Sequence, residues 1–123
     1  MLLNDFFHIN HLSNAENKII ADITLNASHE ILKGHFPAHP IVPGVCMLEI
    51  IKEILGVAFS KKWILSESKS TKYLKLFSTV ENTSARFEII WNGEDYKKIN
   101  VSAVLKQENT VFLKCISCYI EQK

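Results

Sequence analysis

This chain predicts an α+β fold, an antiparallel β-sheet wrapped around one long buried helix. Three observations carry that expectation. Residues 45–59, VCMLEIIKEILGVAF, place apolar side chains around nearly the whole circumference of a helix, the pattern of a buried helix rather than a surface one. Several other segments alternate apolar and polar residues, or are rich in β-branched and aromatic ones, with turn signals between them. At 123 residues, 47% hydrophobic and 22% charged, the chain has the size and composition of one soluble globular domain spanning 1–123.

The elements follow in order. Residues 1–16 lack a clear period and suggest a short helix or irregular lead-in anchored by Phe6, Phe7 and Leu12. KIIADITLNA, residues 18–27, alternates at Ile19, Ala21, Ile23 and Leu25, as a strand does. Residues 28–43 contain Gly34, Pro37, Pro40 and Pro43, which forbid a helix and push Phe36, His39 and Val42 toward extended backbone, so a stiff loop is expected. Pro43-Gly44 ahead of good helix formers is a helix-start signal, and Gly56 marks a weak point near the helix end. Beyond the helix, residues 62–65 begin a strand, and 71–80 and 85–91 are better strand candidates. Asn92-Gly93 is a turn, and 96–106 with 110–121 form a hairpin around Gln107-Glu108-Asn109.

Composition narrows the function. A formal net charge of +1 argues against nucleic-acid binding, which needs a concentrated basic face. Lysines do cluster locally, at 61–62, at 69, 72 and 75, and at 97–98. They read as solvated surface or as a basic rim for an acidic partner or a phosphate-bearing ligand. Three cysteines without a secretory leader suggest reduced thiols and a cytoplasmic location. Cys115 and Cys118 lie three apart on a predicted strand, on opposite faces, so they are not placed to pair or chelate. No segment approaches the roughly 20 apolar residues of a membrane span.

The residues that carry chemistry are concentrated between His35 and Glu49. A histidine in a proline-stiffened loop is held rigidly and is mostly neutral near pH 7, as a general base requires. Glu49 sits one and a half turns into the helix, about 7.5 Å along its axis from Gly44. Glu49, Lys52 and Glu53 share one stripe, which is either a solvent-facing edge with its own ion pair or the setting of a partly buried acid. Gly44 opens the helix, where N–H groups lack internal partners and the dipole is positive, so a carbonyl placed there would be polarised. A metal site is not expected: Pro37 keeps His35 and His39 off one helical face, and His29 lies in the preceding turn. His8 and His11 read as surface residues. No G-x-S-x-G elbow supports a serine nucleophile.

Gly34-His35-Phe36-Pro37, Pro40, Pro43-Gly44 and Glu49 resemble, without gaps, the signature of hot-dog-fold 3-hydroxyacyl-(acyl-carrier-protein) dehydratases of the FabZ type. A weaker likeness follows in Thr71-Lys72-Tyr73-Leu74, similar to the family's Lys-Phe strand beside the substrate tunnel. The resemblance implies a hot-dog fold and dehydration of 3-hydroxyacyl thioesters to trans-2-enoyl thioesters. It implies His35 as base, Glu49 as acid and the Gly44 N–H as holder of the thioester oxygen. Phe36, Val45 and Tyr73 would bind substrate. It further implies no cofactor beyond the substrate's own phosphopantetheine arm, an acyl carrier protein as partner, and a homodimer or trimer of dimers in which His35 of one chain meets Glu49 of another. The chain departs from the pattern at Glu53, where a Gln is usual, at Glu81-Asn82-Thr83, where Pro-Gly-Asp is expected, and at His39, often Arg or Gln. Its compactness is closer to the stand-alone dehydratases of aryl-polyene or flexirubin pathways. A hot-dog thioesterase and a non-catalytic acyl-carrier binding module are the competing expectations.

Overall fold

The computed structural model describes residues 1–32, 41–80, 82–93 and 95–123. Six strands, β1 (Phe7–Ala15), β2 (Lys18–Leu25), β3 (Trp63–Tyr73), β4 (Ser84–Asn92), β5 (Lys98–Gln107) and β6 (Thr110–Glu121), form one sheet in the order β1-β2-β4-β5-β6-β3. Every neighbouring pair is antiparallel. Among the described residues one helix, α1 (Gly44–Phe59), packs on the sheet, and one 3₁₀ turn covers Glu30–Leu32. This is the α+β, hot-dog arrangement that the sequence implies.

Period-two burial builds the core. Ile19, Ala21, Ile23 and Leu25 of β2 face inward, as do Phe87, Ile89 and Trp91 of β4 and Ile99, Val101, Ala103 and Leu105 of β5. On β6 the inward row is Leu113, Cys115, Ser117 and Tyr119, all buried. The opposite face of β2, β4 and β5 carries ion pairs: Asp22 receives Nε and Nη2 of Arg86 at 2.7 and 3.1 Å, and Glu88 pairs with Lys18 and Lys106. The Arg86 hydrogen bond holds the Asp22 carboxyl below its ordinary range, and Lys106 does the same to Glu88. Cys46, Cys115 and Cys118 are free thiols.

Three sequence expectations need correction. Residues 7–15 are strand rather than helix or irregular chain. A register shift between Ile9 and His11 breaks the alternation there, which hides the strand in the sequence. Residues 63–73 form one strand through the polar stretch Ser66–Ser70, because pairing with β6 runs from Trp63↔Glu121 to Tyr73↔Leu113 with two further shifts. The chain then leaves the sheet, so 74–80 is not strand apart from an isolated bridge between Ile41 and Ser78. Phe77 is buried there, stacked on Phe112 at 4.6 Å.

The third correction concerns the helix. It starts at Gly44 and ends where Ser60 turns left-handed (φ 54°, ψ 44°) and donates its N–H to the Gly56 carbonyl. Met47, Ile50, Ile51, Ile54 and Leu55 are buried, but Val45 is 74% exposed and Val57 42% exposed. The helix is therefore buried along one side, not all round, and its open stripe carries Val45, Glu49 and Lys52. Glu53 is not on that stripe. It is only 7% exposed, and its carboxylate accepts the Leu2 N–H at 2.9 and 3.0 Å and the Leu3 N–H at 2.8 Å, pinning the chain ahead of β1 to the helix.

Removing the Glu53 acceptor leaves two backbone donors unpaired, so Glu53→Ala should lower unfolding free energy by about 2–4 kcal/mol, and Glu53→Gln, which keeps one acceptor oxygen, by less. Chemical denaturation of the three proteins checks this ordering. Burial, followed by the Cys115 thiol, pushes the Tyr119 phenol up to about 12 from 10.0, against the opposing Ser117 hydrogen bond. The neutral phenol is favoured in the folded state, so its contribution is complete below pH 10 and lost as pH rises toward 12, when the unfolded chain ionises first. About 2–3 kcal/mol should disappear across that window in the wild type and not in Tyr119→Phe, as read by alkaline denaturation.

Candidate functional site

The open stripe of α1 faces a cleft. Pro43 enters the helix in an extended conformation (φ −61°, ψ 143°) and provides no side-chain cap. The Val42 N–H donates to the Phe77 carbonyl at 2.8 Å, which fixes the approach of the chain to the helix start. Carbonyl 43 accepts the N–H groups of Cys46 at 3.0 Å and Met47 at 3.3 Å. The N–H groups of Gly44 and Val45 precede this first helical bond and lie at the positive end of the helix dipole.

Gly44 is glycine for want of space. A Cβ there would stand 2.6 to 2.7 Å from Cζ, Cε1 and Oη of Tyr73. Tyr73, at the end of β3, thus lies against the helix start while half its surface remains exposed. Burial, with a smaller effect from Cys115, pushes its phenol above the ordinary value, so it is a neutral hydroxyl near pH 7. The predicted Gly44 and Tyr73 are brought together.

Glu49 follows one and a half turns later in a cleft of about 370 Å³ between α1 and β3, walled by Val45, Leu48, Ile64, Leu65 and Tyr119. Its side chain is 37% exposed, and Oε1 receives Nζ of Lys52 at 2.9 Å. Oε2 has no accessible surface and no hydrogen-bond partner among the described residues. One oxygen is thus ion-paired at the rim and the other is turned into the protein. The field of Glu49 reaches its neighbours: it adds to burial in pushing up the Cys46 thiol and contributes to the rise of Tyr119. Val45 stands at the mouth of the cleft. His35 and Phe36, with the rest of 33–40, lie outside the described residues.

Two participants are missing from the sequence-based set. Tyr119 forms part of the cleft wall, and the alternation of Leu113, Cys115, Ser117 and Tyr119 already put it on the inner face of β6. Lys52 was visible in the charged stripe, one reading of which carried its own ion pair, and it is the group on Glu49. A larger hollow of about 550 Å³ lies around Asp22, Arg86 and Lys106 on the other side of the sheet. Those three charges already hold one another or Glu88, which leaves the smaller cleft as the candidate site. A carboxyl beside an apolar wall, near uncapped helical N–H groups, is equipped to exchange a proton with an acyl substrate whose carbonyl rests at the helix start.

The family model described as ApeI-like, ApeI dehydratase, matches residues 11–112. The 3-hydroxyacyl-[acyl-carrier-protein] dehydratase FabZ of Thermotoga neapolitana is 25% identical over 113 residues, covering 84% of this chain and 77% of that protein. The enzyme of the same description from Bartonella henselae is 34% identical over 98 residues, covering 80% of this chain but 58% of its own length. In the solved structures, the dehydratase heterocomplex ApeI:P from Xenorhabdus doucetiae superposes with a TM-score of 0.70 at 16% identity, covering 92% of this chain and 96% of that one, a likeness of fold. With a family match that spans β2, the helix and most of the sheet, the chain belongs to the ApeI-like dehydratase family.

Proposed function

We propose that the chain dehydrates 3-hydroxyacyl thioesters, presented on the phosphopantetheine arm of an acyl carrier protein, to trans-2-enoyl thioesters. The observation that carries this is the placement of Glu49 in the α1–β3 cleft, a turn and a half from the uncapped start of its own helix. The thioester oxygen rests on the Gly44 N–H, which stabilises the negative charge that develops when the α-proton leaves. His35 takes that proton, a role that rests on the family signature. The C–O bond then breaks, and Glu49 supplies the proton that lets the 3-hydroxyl depart as water. No further cofactor enters. Val45 and Tyr73 bound the substrate at the helix start, with Phe36 beside the base.

A second copy of the chain completes the site in this proposal. β3 is an edge strand, with Val45, Ile64 and Leu65 leaving exposed apolar surface at the cleft and Tyr73, Leu74 and Leu76 exposed at and beyond the strand's other end. Edge strands of this length invite pairing, and an apolar patch of this kind marks an association surface. The assembly is a dimer or a trimer of dimers in which, as the family signature implies, His35 of one chain acts with Glu49 of another. Among the described residues no helix is long and apolar enough to cross a membrane, in keeping with work on a cytoplasmic carrier.

Incubation with a 3-hydroxyacyl carrier protein should yield enoyl product, and Glu49→Gln should lower the rate at least ~100-fold while leaving the fold intact. Free acid as the main product would assign a thioesterase instead. Carrier binding with neither product would make the chain a binding module. Gly44→Ala should also cost activity, because its methyl group meets the Tyr73 ring, and the crowding should be relieved in Gly44→Ala/Tyr73→Ala.

A further inference from the structure

Only one oxygen of Glu49 is open to a substrate hydroxyl, and an ammonium already sits on it. Oε1 is held by Lys52 at 2.9 Å, and Oε2 is sealed from solvent. For Oε1 to carry the proton that departs with the 3-hydroxyl, the Lys52 ammonium must move aside. The pair costs little to break, because exposed ion pairs one helical turn apart contribute well under ~1 kcal/mol. What remains is where the ammonium goes.

A second cleft, of about 420 Å³, adjoins the first, and Lys52, Trp63 and Gln122 line both. Val57 and Trp63 give it an apolar floor, and Lys61 and Lys62 stand with Lys52 at its rim. Lys61 is engaged by the Tyr96 carbonyl at 2.7 Å, Glu121 at 3.7 Å and the Trp63 ring at 5.9 Å. Lys62 is exposed and has no carboxylate partner among the described residues. Glu53 also borders this cleft, but its oxygens are taken by the Leu2 and Leu3 N–H groups. The rim therefore offers an unengaged ammonium at Lys62 beside Lys52, which is on loan to Glu49.

We propose that Lys52 is a latch on Glu49, released when the phosphate of the substrate arm binds between Lys52 and Lys62. The proposal rests on the dehydration reading and adds a coupling to it: the anionic end of the substrate frees the acid that acts on its reacting end. A phosphate offers more charge and more acceptor oxygens than one carboxylate oxygen, so it competes effectively for Lys52. The apolar floor accommodates the arm between the two ends. Lys52 acts through Glu49 and is a positioning residue.

The test compares a 3-hydroxyacyl 4′-phosphopantetheine thioester with the matching pantetheine thioester, which lacks the phosphate. Wild type should favour the phosphate-bearing substrate in kcat/KM by about tenfold, the worth of one charge-assisted contact. Lys52→Met should bring the two within about twofold and should turn over the phosphate-free substrate faster than wild type does, since Glu49 is then unlatched. Lys62→Met should reduce the preference without that acceleration. A wild type that dehydrates both substrates equally, or a Lys52→Met protein that keeps the preference, overturns the latch and leaves the dehydratase reading standing. A wild type that dehydrates neither of these nor the intact 3-hydroxyacyl carrier protein overturns both. Repeating the comparison with the intact acyl carrier protein and with coenzyme A thioesters shows which source of the phosphate the cleft takes.

Discussion

Everything in this molecule depends on the seating of one face of α1 in the sheet. Met47, Ile50, Ile51, Ile54 and Leu55 are almost wholly withdrawn from water. At about 2 kcal/mol for each buried side chain, their gross contribution is of order 10 kcal/mol, comparable to the whole net stability of a domain. The helix cannot rotate without exposing them. Its rotational setting is therefore fixed, and with it the direction of every residue on the opposite stripe. Glu49 reaches the cleft beside β3 because Ile50, Ile51 and Ile54 hold the other side of the helix in the core.

That seating also explains the mixed environment of the carboxyl. Glu49 sits at the boundary between the buried and open sides, so one oxygen turns inward beside Tyr119 while the other meets Lys52 at the rim. Glu53, one turn further on, has rotated fully to the inner side. It is tolerated there because two backbone N–H groups neutralise the cost of burying it. Two glutamates four residues apart on one helix thus stand in different settings, one at an open cleft and one pinned to backbone donors. The difference is set by rotation about the helix axis and by which donors lie nearby.

Much of this was legible in the sequence. The helix start at Pro43-Gly44, the β2 alternation and the terminal hairpin follow from patterns that depend only on neighbouring residues. The first strand was not legible, because the shift between Ile9 and His11 breaks its period. Ser66–Ser70 reads as a loop by composition and is strand only because β6 offers a continuous ladder. The helix looked apolar all round because Val45 and Val57 count as core by type, whereas in the folded chain both are exposed. At the site, Glu49 and Gly44 could be chosen by spacing. The crowding of Gly44 by Tyr73 and the meeting of Glu49 with Tyr119 join residues far apart in the chain, so they depend on tertiary placement. The i, i+3 spacing of Glu49 and Lys52 was visible, but its consequence for access to the carboxyl was not.

The central claim is that Glu49 is one half of a proton-transfer pair whose other half, His35, comes from a second chain. The most direct measurement mixes His35→Ala and Glu49→Gln proteins, each inactive alone, and follows enoyl-thioester formation after subunit exchange. If the pair is completed across chains, half of the dimers at equal mixing carry one intact site of two, and activity returns to about a quarter of the wild-type value. A mixture that exchanges subunits and stays inactive would contradict the account.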